Sequence, residues 1–362
     1  MDFKIKYLKY KAKYIHLNQK MNQSGGAVDR TSQSDSNDIY LKFINRVLAK
    51  NQKLSNVIAR DVKYNGHLIV VDMQNDFVDR PYTDNNGDTI KRGHFGVSNG
   101  KECIDNVKEL IENNNFKQVY FTRDYHPKEH CSFLPKGHYP PHCVQTTNGS
   151  LIVDELKDMA KNSIVMFKGF DKDYDSYGAA PYEDDEYGTT RQQLSGCKKN
   201  CITDTCSQNT GGFLLKGVDN PVDYLGPVDM NNSCQHQYEN IKDGDNVFVV
   251  GLAGDYCVKD TAINIKRMKP RCKVYVINQC TRYALLPSSL IGPLDKHLTV
   301  EKGKPGNQYL ITIENGEYRI LTKDELLLLN EKEMNKNKYF SYLTDPEDLL
   351  NDYDYYNVKL II

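Results

Sequence analysis

The chain contains no tryptophan, so any aromatic surface for a ligand has to be built from its 25 tyrosines and 12 phenylalanines. No apolar run approaches the roughly 18 residues that a membrane-spanning helix needs, which argues against a transmembrane protein. The opening residues, MDFKIKYLKYKAKY, lack the apolar stretch of a secretory signal. Net charge is also nearly absent: 47 basic against 48 acidic side chains leave −1, so no global field argues for nucleic acid or a membrane surface. Ten cysteines without a signal peptide imply reduced thiols serving catalysis, metal binding or packing rather than a disulfide framework. A cytoplasmic, reducing compartment is the matching expectation.

What is present is arranged in blocks. With 39% hydrophobic residues, a 362-residue chain has the material for one large domain with additions, or for two domains. Residues 1–38 read as a basic leader followed by a polar linker. In the leader Phe3, Tyr7, Tyr10, Tyr14, Leu17 and Met21 recur at steps of four and three, the spacing of one helix face among lysines. Such a helix can dock on an acidic partner, a particle or a membrane surface. A tethered leader without fixed structure is the plainer alternative.

A helix is expected near 39–55, and the text then becomes α/β. His67–Asp72, Gln118–Thr122, Ser163–Phe167, Val247–Gly251 and Lys273–Asn278 are short apolar runs rich in β-branched residues, with helices at Cys103–Asn113 and Cys257–Met268. Near-continuous apolar strands alternating with helices predict a doubly wound, mostly parallel central sheet with helices on both faces, spanning 39–299. Two stretches break this rhythm. Residues 181–245 are polar and Gly/Asn-rich and read as an insertion. Residues 300–362 form an acidic, Tyr-rich C-terminal extension with a helix expected at Lys323–Glu333.

In parallel sheets, active sites collect at the carboxyl ends of the strands. Here those ends deliver Asp72 in VVDMQNDF, Asp124 and His126 in TRDYHPKEH, Lys168 after SIVMF, and Cys257 in GLAGDYCVKD. A helix N-terminus and a nearby cation, Lys168, would help Cys257 become a thiolate, with Asp72 accepting the proton. Backbone N–H groups around Ala253 and Cys257 would face the oxygen of a tetrahedral intermediate. A lone cysteine after a strand is otherwise most often a small buried hydrophobe. Asp124-x-His126 offers one oxygen and one nitrogen ligand from alternate positions, and His142 in HYPPHC is a candidate third ligand. Mixed N/O ligands with open positions suit Zn²⁺ first, with Fe²⁺ or Mn²⁺ as alternatives. His130 and His138 are further candidates that spacing cannot rank.

The motifs VVDMQNDF, TRDYHPKEHCSF, YPPHCVQTTNG, FKGFDKDYDSYGA and GLAGDYCVKDTA occur in the order seen in the nicotinamidase/pyrazinamidase family of isochorismatase-like hydrolases. The resemblance covers about residues 66–285, interrupted by the insertion. It implies Asp72 as general base, Lys168 as its cationic partner and Cys257 as nucleophile. It also implies Asp124, His126 and His142 as ligands of one divalent metal, and a cis peptide at Leu252–Ala253 that aims the Ala253 N–H into an oxyanion hole. Phe77 and Tyr139 would flank a flat aromatic amide, Tyr139 standing where many relatives carry tryptophan, and Asn278 stands where the family often has aspartate. The implied reaction is hydrolysis of nicotinamide to nicotinate and ammonia through a cysteine thioester, in NAD salvage.

Alternatives remain at this stage. A hydrolase of the same superfamily acting on a ureido, carbamoyl or vinyl-ether substrate would share Asp72 and Lys168, and a binding protein on the same fold would keep the shape without turnover. In the insertion, Cys197, Cys201, Cys206 and Cys234 either bind a structural zinc or are free thiols. No nucleic-acid partner is expected, and a homo-oligomer is compatible with the sequence. The leader is similar in composition to the Lys/Tyr-rich leaders of giant-DNA-virus proteins, which implies a virus-encoded chain.

Overall fold

The computed structural model describes residues 44–45, 48–49, 52–97, 99–197, 205–284, 286–287, 308–314, 317–320, 341–344 and 346–362. The leader, the linker and the helix expected at Lys323–Glu333 lie outside these residues. Of the helix expected near 39–55, Ile44, Asn45, Leu48 and Ala49 are described and helical, and a 3-10 segment follows at Gln52–Val57.

Nine strands make the central sheet: β1 (Ile58–Ala59), β2 (His67–Val71), β3 (Gln118–Asp124), β4 (Ile164–Lys168), β5 (Phe213–Leu215), β6 (Ser233–Gln235), β7 (Asn246–Leu252), β8 (Lys273–Arg282) and β9 (Val358–Ile361). Their spatial order is β1-β9-β8-β7-β2-β3-β4-β5-β6. All pairings are parallel from β1 through β4, and β5 pairs antiparallel with β4 and with β6. Every residue of β2 is buried, and β7 is buried from its second residue onward, which requires cover on both faces of the sheet. The mostly parallel α/β architecture read from the sequence is therefore the one adopted.

Four helices matter to the site: α1 (Gly100–Glu112), α2 (Glu186–Ser195), α3 (Cys257–Met268) and α4 (Pro346–Tyr356). In α1, Cys103, Ile104, Val107 and Leu110 recur at helical spacing and are buried as the helix packs on β7 and β8. After β2 the chain builds outward through β3 and β4, then returns to place β7 on the other side of β2. Adjacent strands thus send their connections in opposite directions at β2 and β7, and the crevice this opens lies at their carboxyl ends. Among the described residues no helix is long and apolar enough to cross a membrane.

The segments outside the expected rhythm are woven into this sheet. The 181–245 insertion supplies α2, strand β5 and the edge strand β6, and the acidic C-terminal segment supplies α4 and β9. Between its other strands, that segment also forms part of a small antiparallel sheet of Leu286–Pro287, Gln308–Glu314, Glu317–Ile320 and Ser341–Thr344.

Helix α3 is buried along its first nine residues, Cys257 to Ile265, including four polar ones. Buried polar groups need partners, so each of these fixes a neighbour. Lys259 donates to Asp352 of α4 at 3.0 Å, and Asp260 takes Arg191 of α2 at 2.6 Å. The Thr261 hydroxyl accepts from the Ala179 N–H at 2.9 Å, and Asn264 donates to the Ala180 carbonyl at 3.0 Å. Breaking a buried ion pair strands a charge and costs about 3–5 kcal/mol. Lys259→Met should therefore lower the unfolding free energy by about that amount in a urea titration. Adding Asp352→Leu should recover most of the loss; additive losses would mean that the pair is not coupled.

Candidate active site

Three strand ends and one helix start converge in the crevice. Asp72 follows β2 in a left-handed conformation (φ 49°), Asp124 and Lys168 end β3 and β4, and Cys257 opens α3. Gly251 of β7 is required by a close approach: at its φ of 113° an added Cβ would sit 2.1 Å from the Val71 carbonyl oxygen. The Leu252–Ala253 peptide that follows is cis, as the resemblance implied.

The Lys168 ammonium, fully buried, is the hub. Its Nζ lies 2.8 Å from Asp72 Oδ2, 2.6 Å from Asp124 Oδ1, 3.0 Å from the Ser176 carbonyl and 3.7 Å from Cys257 Sγ. A carboxylate oxygen of Asp72, one of Asp124 and the Cys257 sulfur all lie within 4.8 Å of one another, with the ammonium among them. Thr122 Oγ1 donates to Asp72 Oδ1 at 2.5 Å and receives the Asp72 N–H at 3.0 Å, so one hydroxyl fixes both the carboxylate and the main chain of Asp72. The VVDMQNDF motif works at alternate positions. Gln74 exchanges two 2.8 Å hydrogen bonds with the Asp124 backbone, and Asp76 accepts the Cys143 N–H at 2.7 Å, beside His142.

Burial separates the proton affinities of these groups. Asp72 is pushed above the usual carboxylate range by burial, Lys168 opposing and the Asp124 charge reinforcing. Burial acts the same way on Asp124, but Lys168 and His126 together hold it below the usual range. Lys168 is disfavoured by burial, yet the two carboxylates hold its proton firmly. Cys257 is pushed well above an ordinary thiol by burial, which Lys168 only partly offsets while Asp72 and Asp124 add to it. One ammonium thus serves two carboxylates as well as lying near the sulfur, and burial disfavours the Cys257 thiolate.

Ligand atoms of Asp124, His126 and His142 lie within 4.8 Å of one another, and all three residues are buried. His126 Nδ1 is 2.7 Å from the Gly169 carbonyl, and His142 Nδ1 is 2.8 Å from the Pro140 carbonyl. A carbonyl only accepts, so each Nδ1 carries the hydrogen and each Nε2 is left as the ligating nitrogen. Gly169 permits this approach: at its φ of 64° a Cβ would meet the His126 ring at 2.6 Å. Burial, and then the His126 charge, lower His142 to about 4, which keeps its lone pair available. Burial opposes a proton on His126, but Asp124 at 3.3 Å draws one on, so metal uptake there competes with a proton. This donor set fits a divalent metal.

Ligand atoms of His130, His126 and Asp175 also lie within 4.8 Å of one another, so His130 stays a candidate beside the first donor set, although its ring has other partners. His130 Nδ1 pairs with the Ser132 hydroxyl at 2.7 Å and Nε2 with the Tyr174 carbonyl at 3.0 Å, so both ring nitrogens are engaged. His138 binds the Leu194 carbonyl of α2 at 2.9 Å. Phe77 lies 5.2 Å from the His142 ring, as measured between centroids, and Tyr139 lies 6.5 Å from it. Sequence reasoning missed the rest of this wall: Phe95 stacks on His142 at 4.8 Å, Tyr177 bonds the Tyr139 hydroxyl at 2.9 Å, and Tyr256 packs 5.7 Å from Tyr177. Only Tyr256, beside Cys257, carried a signal in its position.

The cysteines differ from expectation. Cys131 and Cys197 form a disulfide, and Cys206 is also disulfide-bonded. The fold brings Cys131, from the loop after β3, against the end of α2, a proximity that spacing alone does not reveal. The all-reduced expectation therefore fails for these three, and Cys197 and Cys206 are not thiolates free for a structural zinc. Cys234 is exposed and free.

Residues 67–177 match the model of the isochorismatase domain family. The nicotinamidase of Saccharomyces cerevisiae is 26% identical over 227 residues, covering 54% of this chain and 79% of its own length. That of Acinetobacter baylyi is 28% identical over 204 residues, covering 48% of this chain and 87% of its own. Among solved structures, the pyrazinamidase of Pyrococcus horikoshii in complex with zinc is 17% identical, with a TM-score of 0.38, over 82% of this chain and 98% of that one.

The proton arrangement around Cys257 has a direct readout. Its alkylation by iodoacetamide in the free protein, corrected with Cys257→Ala, should be slow at neutral pH and still rising above pH 9. Asp72→Asn removes a neighbouring negative charge and should move that rise to lower pH. A rate already level at pH 7 would show a preformed thiolate instead.

Proposed function

We propose, from the isochorismatase domain and fold that this chain carries, that it is an amidohydrolase that cleaves nicotinamide to nicotinate and ammonia. The observation that carries the reading is the single buried ammonium of Lys168 shared among Asp72, Asp124 and the Cys257 sulfur, directly beside the Asp124/His126/His142 donor set. One half of this arrangement suits a thiol nucleophile and its base, and the other suits an anchor for the substrate.

In this reading Asp124, His126 and His142 hold one divalent metal, with Zn²⁺ the first choice for mixed N/O ligands. When bound, the metal supplies a Lewis-acid anchor for the pyridine nitrogen. Phe77, Phe95 and Tyr139 flank the flat ring and keep water from it. Asp72 takes the Cys257 proton as the sulfur attacks the carboxamide carbon, and its raised proton affinity suits it to receive that proton. The Ala253 and Cys257 N–H groups receive the negative oxygen. Asp72 then passes the proton to the departing ammonia, leaving a thioester on Cys257. Asp72 next takes a proton from water, whose oxygen attacks the thioester; nicotinate leaves and the thiol is restored. Lys168 stays charged throughout, holding Asp72 in place.

The test is ammonia release from nicotinamide by purified full-length protein, with bound metal measured alongside. Cys257→Ala should lose activity by at least about a thousandfold while keeping its metal. Asp124→Ala should lose both. Because the base must be ionised, activity should fall on the acid side at a pH above the ordinary carboxylate range. A metal-loaded wild type that releases no ammonia would overturn the reading and point to a ureido or carbamoyl substrate.

A further inference from the structure

The insertion reaches the site from a direction the motifs do not suggest. It lies beyond the 67–177 isochorismatase match, yet helix α2 meets the catalytic region at three nearly consecutive residues. Gln192 exchanges hydrogen bonds with the backbone of Asp175 at 3.0 and 2.6 Å. The Leu194 carbonyl receives His138, and just past the helix Cys197 is bonded to Cys131 of the loop that carries His130. Arg191, 1% exposed, points its guanidinium into the interior.

Arg191 has two kinds of partner. Its Nε donates to Asp260 Oδ2 at 2.6 Å, and Asp260 also accepts from the hydroxyls of Tyr187 at 2.9 Å and of Tyr182. Asp260 lies one turn beyond Cys257 on α3. The flat guanidinium lies 4.8 Å from the Tyr177 ring centre and 5.8 Å from that of Tyr256. Tyr177 in turn bonds the Tyr139 hydroxyl, and Tyr256 directly precedes Cys257. Nη2 has no hydrogen-bond partner among the described residues, so the rings and Asp260 are what hold the group.

We infer that Arg191 is a positioning and specificity-determining residue: the insertion uses it to clamp Tyr139, Tyr177 and Tyr256 into a fixed wall over Cys257, matched to a flat aromatic amide. A buried cation on a ring face attracts it, and a planar guanidinium can serve two rings where an ammonium cannot. The wall, rather than the thiol itself, is what Arg191 controls. Its removal therefore weakens substrate retention and opens access to the sulfur. The part concerning the amide substrate rests on the proposed nicotinamide hydrolysis; the part concerning access to Cys257 does not.

The experiment compares full-length wild type, Arg191→Met and Arg191→Lys. It measures KM and kcat for nicotinamide, the unfolding temperature, and the rate at which Cys257 reacts with a nitrobenzoate disulfide, corrected with Cys257→Ala. In a folded Arg191→Met, KM should rise roughly tenfold with kcat within about threefold, and the reagent should reach Cys257 several times faster. Arg191→Lys, which keeps a charge facing Asp260 but not the flat stack, should fall between. A folded Arg191→Met with both KM and labelling rate within about twofold of wild type would overturn the inference, as would lost kcat at unchanged KM. If Arg191→Met does not fold, Arg191→Lys decides by the same criteria. A wild type inactive on nicotinamide would defeat the substrate assignment alone, since the labelling comparison still decides the role of Arg191.

Discussion

The site depends on a buried ammonium that has more anionic neighbours than charge to give them. Taking Lys168 and two carboxylates out of water costs several kcal/mol per ion, which is tolerable only when geometry and further hydrogen bonds are good. Here Nζ has Asp72, Asp124 and the Ser176 carbonyl within 3.0 Å. Sharing one cation between two acids also divides their behaviour. Asp124 gains His126 as a second cationic neighbour and stays ionised, while Asp72, with only the Thr122 hydroxyl besides, holds protons more readily. Two carboxylates a few ångströms apart thereby come to differ in proton affinity.

Helix α3 connects that local balance to the rest of the molecule. An amphipathic helix can pack by one face, whereas this one is buried all round over its first turns and must find a partner for each polar side chain. Those partners come from α2, from α4 and from the stretch around Ala179, so segments distant in sequence bear on the residue that carries the sulfur. The insertion and the C-terminal segment are in this sense parts of the site's foundation.

The legible and illegible parts of the sequence divide along the same line. Strands β2, β3, β4, β7 and β8 were visible because a strand buried on both faces is a continuous β-branched run, and their ends named Asp72, Asp124, His126, Lys168 and Cys257. Spacing carried Phe77 and Tyr139 only through the family resemblance. Arg191 and Phe95 were invisible because nothing local marks a residue whose partner arrives from elsewhere in the chain. The pairing of Cys131 with Cys197 was hidden for the same reason. Strand β9 escaped because VKLI is too short to stand out after an acidic, Tyr-rich stretch. His130 is instructive: its type and spacing suit a ligand, and only the Ser132 and Tyr174 contacts show both nitrogens engaged.

The state of Cys257 also bears on durability. Peroxides and other oxidants attack the thiolate, and cysteine enzymes that keep a standing thiolate are accordingly prone to irreversible sulfinic damage. Burial disfavours the thiolate of Cys257, and a sulfur whose thiolate is disfavoured is a poorer target for such reagents.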